Sequence, residues 1–185
     1  MTEFEARIRT LQLFPVSLIP TTPEIVIPPR CNPGQQEHAS RCFSITDSIS
    51  KWKEAREDCQ RHGGDLAVVQ DMEDQKFLTN FTYQFKQNHL SGQVFHAAWI
   101  GLTDEKTENS FVWVNNKALQ SSVTFWSKGE PNNFIATWDK EENGQDCVGI
   151  VPPDDFGAER WLFNWDDITC VGGRHYVCES KAVVS

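Results

Sequence analysis

The sequence predicts an α+β domain held together by disulfides, and three observations carry the prediction. Two helical patterns come first, between Ser50 and Phe81. Short β-rich segments follow, from Ala98 to Cys178. Six dispersed cysteines (Cys31, Cys42, Cys59, Cys147, Cys170 and Cys178) span both halves. Helices followed by strands point to α+β architecture rather than to an alternating parallel sheet.

The elements can be justified in chain order. Residues 1–30 read as a tail or stalk, because six of the nine prolines fall between Pro15 and Pro33 and proline at that density favours extended chain. Globular composition begins at Cys31, so the domain is expected over 31–180, with 181–185 as a C-terminal tail. Ser50 is a candidate N-cap, and Trp52, Ala55, Arg56 and Cys59 follow at helical spacing. Gly63-Gly64 ends that helix. Asp71-Met72-Glu73-Asp74 has the character of a capped start for a second helix that turns Phe77, Leu78 and Phe81 inward. Ala98-Trp99-Ile100-Gly101-Leu102 and Phe111-Val112-Trp113-Val114 read as strands, as do Cys147-Val148-Gly149-Ile150-Val151 and His175-Tyr176-Val177-Cys178. Ser127 to Gly144 is a long polar, acidic stretch; loops of that length in a compact domain are functional or disordered. No internal repeat is present.

Composition narrows the function. The 185 residues fit one domain plus a tail, and 39% hydrophobic residues with seven Trp can bury a sizeable core. A net charge of −9 repels nucleic acid and anionic membrane, which excludes both as partners. The cysteines are even in number and form no C-x-x-C pair, so three disulfides in an oxidising compartment fit better than a zinc or redox site. Spacing alone leaves ~15 connectivities open. The longest uncharged stretch near the start, Thr10 to Pro23, is too short and too proline-rich for a membrane span or a secretory leader. Disulfides without an export signal imply that the true N-terminus is missing here, from a secreted protein or from the ectodomain of a membrane protein. Asn80-Phe81-Thr82 is an N-glycosylation acceptor triplet.

Enzyme signatures are absent: no G-x-S-x-G, no H-E-x-x-H and no phosphate-cradling glycine loop. The five histidines share no ligand spacing, and Asp154-Asp155 reads as solvated surface rather than as a glycosidase pair. The informative cluster is made of oxygen ligands. Asp104, Glu108, Glu130, Asn132, Asn133, Gln145, Asp146, Asp166 and Asp167 fall within about 65 residues, with no Lys/Arg cluster expected nearby. Calcium takes ~6–8 such hard oxygens; a solvated acidic loop is the competing reading of the same composition. Two details favour the metal. A proline between Glu130 and Asn132 can take a cis peptide that aims both side chains at one point. Trp165-Asp166-Asp167 lies just before Cys170, where a disulfide can anchor it.

At these residues the sequence resembles the C-type lectin family, over roughly Cys31 to Glu179. Trp99-Ile100-Gly101-Leu102 looks like its core WIGL motif, Glu130-Pro131-Asn132 like its mannose-type EPN motif, and Trp165-Asp166-Asp167 stands where the family carries Trp-Asn-Asp. The cysteines resemble the long form of the domain, which implies the pairs Cys31–Cys42, Cys59–Cys178 and Cys147–Cys170. The resemblance further implies a double-loop fold of two helices, two small antiparallel sheets and a long calcium-binding loop. It implies a calcium site at Glu130, Asn132, Gln145, Asp166 and Asp167, the first four facing sugar, and an auxiliary site at Asp104, Glu108, Asn133 and Asp146. Two neighbouring sugar hydroxyls would coordinate the first calcium directly. Glu-Pro-Asn goes with equatorial 3- and 4-hydroxyls, as in mannose, fucose, glucose and N-acetylglucosamine. The expected function is calcium-dependent, non-enzymatic glycan recognition of the innate-immune kind; the alternative is a calcium-independent domain that binds a protein partner. Three departures stand out: Gln145 replaces the usual Glu, Asp166 replaces the usual Asn, and the segment from Asn133 to Gly144 is long and carries Trp138, Glu141 and Glu142. Glu142 competes with Gln145 for the last metal position.

Overall fold

The computed structural model describes residues 30–89, 96–135, 144–154, 157 and 160–182. Nearly all of the proline-rich tail, Trp138, Glu141 and Glu142 lie outside the described residues. The elements in order are β1 (Gln36–His38), β2 (Arg41–Ile45), α1 (Trp52–Arg61), β3 (Asp65–Leu66), α2 (Met72–His89), β4 (Ala98–Thr103), β5 (Val112–Trp113), β6 (Cys147–Ile150), β7 (Trp165–Ile168) and β8 (His175–Lys181).

The helix α1 buries Trp52, Ala55 and Cys59, one face of a 3.6-residue repeat. Its N-cap is Lys51, without a side-chain cap bond, and not Ser50. Ser50 is drawn into an antiparallel bridge with Arg174, the two exchanging N–H···O bonds of 2.9 and 3.0 Å, so tertiary pairing takes the residue that local preference assigns to the cap. The start of α2 follows local preference: Asp71 Oδ1 accepts from the N–H groups of Glu73 and Asp74, each at 2.9 Å. Leu78, Phe81 and Phe85 are buried from this helix.

The strands run in the order β1-β2-β8-β4-β6-β7, with β3 on β8 and β5 on β4. Neighbours are antiparallel except β4 and β8, which meet in parallel at Ala98↔His175 and Trp99↔Tyr176. Two antiparallel sets are thus joined by one short parallel contact. At their centre β4 is buried on both faces. Gly101 explains how closely it packs: its N–H reaches Ala67 O at 2.8 Å, and an added Cβ would stand 2.6 Å from Val114 Cγ2. The core tryptophans satisfy their indole N–H groups inside it. Trp52 donates to Ile100 O, Trp99 to Ser50 O and Trp165 to Gln75 Oε1, at 2.8–2.9 Å.

Three disulfides staple this frame. Cys31–Cys42 ties the entering chain to β2, Cys59–Cys178 fixes α1 to β8, and Cys147–Cys170 joins β6 to the turn after β7. Arg41 adds a polar staple, donating to Asp74, to Glu179 Oε2 and to Val68 O. It thereby connects the first hairpin to α2 and β8, and each buried charge finds an opposite one.

Candidate functional site

The site is built on β7. Trp165 is fully buried, with Trp113, Phe125 and Trp126 edge-on against it at centroid distances of 5.7, 5.3 and 5.6 Å. The two acids that follow it are paired to β6, Asp166 opposite Gly149 and Asp167 opposite Val148. The core therefore fixes where Asp166 and Asp167 stand.

The loop from Ser127 is pinned to this strand. Ser127 N–H donates to Trp165 O at 2.9 Å. The carboxylate of Asp167, only 1% exposed, accepts from the main-chain N–H of Asn132 at 3.0 Å and of Asn133 at 2.7 Å. The Glu130–Pro131 peptide is cis, and Asn132 Nδ2 donates to Glu130 Oε2. The outcome is a convergence: Glu130, Asp166 and Asp167 each bring a carboxylate oxygen within 4.8 Å of the others.

Crowding raises the proton affinity of the group. Glu130 is pushed up to about 7, first by burial, then by its hydrogen bond with Asp167 and by the charges of Asp166 and Asp167. Asp166 is pushed up to about 6, first by burial and then by Asp167, while Arg174 opposes the shift. Like charges held together in a partly desolvated cleft favour either protons or a cation between them.

Gln145 closes the second arm of the loop. Its N–H donates to Asn133 Oδ1 at 2.6 Å. Its Oε1 accepts from Phe134 N–H at 2.8 Å, the same donor that reaches Asn132 Oδ1 at 2.8 Å. One donor shared by two side-chain carbonyls places the Gln145 and Asn132 amides side by side. The closure depends on Gly144, at φ +83°, where a Cβ would fall 1.8 Å from Asn133 Oδ1. Asn133 as a clasp and Gly144 as its partner escape sequence reasoning; the glycine directly before Gln145 is the signal that points to them.

The second expected group is looser. Asp104, Glu108 and Asp146 line an open depression of about 580 Å³. Asp104 is buried; its Oδ2 accepts from Asn109 N–H at 2.8 Å and its Oδ1 has no hydrogen-bond partner. Burial first, then Glu108 and Asp146, push its carboxyl up to about 6. Among the described residues the three acids do not converge as the first group does. Lys51, Lys53 and Lys106 line the same depression, which corrects the expectation of no basic cluster nearby. Folding brings the start of α1 against the 104–108 turn, a proximity that linear spacing hides.

Residues 48–180 match the family model described as the lectin C-type domain. Human C-type lectin domain family 4 member E is 32% identical over 155 residues, covering 83% of this chain and 60% of that protein. The chain thus spans about three fifths of the length of this relative. The C-type lectin domain of murine dendritic cell inhibitory receptor 2, solved in complex with N-glycan, superposes with a TM-score of 0.61 at 28% identity, covering 82% of this chain and 98% of that one. A calcium-independent type II antifreeze protein shares the fold alone, with a TM-score of 0.62 at 20% identity over 84% of this chain and 98% of that one. The family match spans most of the domain, and the chain belongs to the C-type lectin domain family, whose members are carbohydrate-binding, non-enzymatic modules.

Proposed function

We propose that this domain binds calcium through Glu130, Asn132, Gln145, Asp166 and Asp167, and through it a glycan with equatorial 3- and 4-hydroxyls of the mannose, fucose or N-acetylglucosamine type. The observation that carries the reading is the convergence of three carboxylates within 4.8 Å beside two amides that share one donor. The donor set is oxygen only, with a formal charge of −3 from Glu130, Asp166 and Asp167, as a hard divalent cation requires. Bound calcium supplies coordination positions for two vicinal hydroxyls. Around them Glu130 and Asp166 accept hydrogen bonds while Asn132 and Gln145 donate. The bond from Asn132 Nδ2 to Glu130 is the one that sugar exchanges for its own. Phe134, 63% exposed beside both amides, offers an apolar surface to the C–H face of the ring.

A second calcium at Asp104, Glu108, Asn133 and Asp146 is supported by the buried, unpartnered Asp104 Oδ1. The domain is read as 31–180 and as working outside the cell, secreted or as an ectodomain; the three disulfides support that location. The three lysines lining the second depression favour another reading, that this depression works without calcium and meets a protein partner.

Retention on immobilised mannose tests the proposal. The domain should bind in millimolar calcium and elute with a chelator or free mannose, and galactose should not displace it. Retention that survives the chelator would overturn it.

A further inference from the structure

We infer that Asn80 carries an N-linked glycan, added before the domain folds. Asn80-Phe81-Thr82 is the one Asn-x-Ser/Thr triplet in the 185-residue sequence. It lies mid-helix in α2, on the face where Glu73, Lys76, Gln84 and Gln87 are also exposed. The opposite face, with Leu78, Thr79, Phe81 and Thr82, is buried. Among the described residues no hydrogen bond engages the Asn80 side chain, so its amide points to solvent with room for a bulky substituent.

The third residue of the triplet sets the timing. Thr82 is 0% exposed, and its hydroxyl is taken up by Leu78 O at 2.9 Å and Thr79 O at 3.1 Å. A transferase that must read this hydroxyl cannot do so once α2 has packed. Arg41 and His38 of the first hairpin already hold Asp74 at the start of α2, but the bonds that seat its inner face at Gln75 come from much later in the chain. Gln75 donates to Leu162 O and Asn164 Oδ1 and accepts from Trp165 Nε1. The acceptor therefore stays readable while some 80 further residues are made, about 4–16 s at ~5–20 residues per second.

The reaction needs no redox partner. The Asn80 amide nitrogen attacks the anomeric carbon of a lipid-diphosphate-linked oligosaccharide. The C1–O bond breaks, its electron pair leaves with the diphosphate, the N–C1 bond forms, and the amide proton passes to base. The glycan then stands on the outer face of α2, away from the face that seats Trp165 and β7, and does not cover the sugar site.

The test expresses the whole chain behind a secretion signal in cultured animal cells. One mobility step, removed by peptide-N-glycosidase, is expected in the wild type. It should be absent in Asn80→Gln and retained in Thr82→Ser, with mannose and calcium binding of Asn80→Gln unchanged. Given to microsomal membranes, the reduced unfolded chain should accept the glycan and the folded chain should not. A secreted wild type without the step, or a step that survives Asn80→Gln, overturns the site. Equal modification of folded and unfolded chain overturns the timing.

Discussion

Calcium affinity should collapse in mild acid. In the calcium-free protein Glu130 titrates near 7 and Asp166 near 6, so at pH 5 both hold protons that the metal must expel. Each group weakens apparent affinity by the factor 1 + 10^(pKa − pH). Between pH 7.5 and pH 5 the two together amount to about 10²–10³-fold, whereas carboxylates at their reference values would give less than ~2-fold. Extracellular calcium modules start from about 10⁻⁴–10⁻³ M, so millimolar calcium no longer fills the site at pH 5. Titration calorimetry in two buffers of different ionisation heat also counts the protons, about 0.3 released per calcium at pH 7.5 and about 1.4 at pH 6. Without calcium the sign reverses. The folded values lie above the unfolded ones of ~4, so the stability these groups contribute is fully present below about pH 4 and lost as pH rises through 6–7. Melting temperature in chelator should therefore fall from pH 5 to pH 8, and saturating calcium should remove or invert the trend. An affinity ratio under tenfold, or no proton release at pH 6, would refute the reasoning.

Gly144→Ala should weaken calcium at least tenfold by calorimetry while the melting temperature in chelator hardly moves, since the strain of φ +83° and the 1.8 Å clash fall on the loop clasp alone. Gln145→Glu should weaken mannose even where calcium tightens, Asp166→Asn should weaken calcium, and the double variant should recover both; additive losses in the double-mutant cycle would mean that Gln145 does not serve the metal. Glu130→Gln with Asn132→Asp should lose mannose preference on a glycan array, because donor and acceptor change places; an unchanged profile would move the site elsewhere. Replacing Cys59 and Cys178 by Ser opens a loop of 119 residues and should cost about 4–5 kcal/mol in urea unfolding; a loss under 1 kcal/mol would show that the reduced chain is already constrained.

What the sequence discloses follows from physical range. α1, α2, β4 and β6 are legible because their apolar residues repeat at helical spacing or run unbroken into a core. β1, β3 and β7 read Gln-Glu-His, Asp-Leu and Trp-Asp-Asp-Ile; nothing local marks them as strands, and only pairing with β2, β8 and β6 makes them so. The acids of the first site are legible as types, but spacing does not show their convergence, which only the family resemblance implies. Asp167 acts by holding two main-chain N–H groups, and Gly144 by leaving space, and neither role has a spacing signature. Lys106 is visible two residues after Asp104, but Lys51 and Lys53 are about 50 residues away in the chain, so their charge enters the picture only after folding.

The strand order has a consequence for presentation. Cys31 is bonded to Cys42, which lies opposite Ser180 in the β2–β8 register, so chain enters and leaves the domain side by side. β7, which carries Asp166 and Asp167, is the far edge of the same order. Four inter-strand steps separate β2 from β7, roughly 20 Å at ~4.8 Å each. Whatever the domain is attached to, through either end or both, grips it by the edge remote from the proposed glycan site. Such a module can be hung from a stem or threaded into a row of copies without its reach toward a glycan-coated surface being blocked by its own tether.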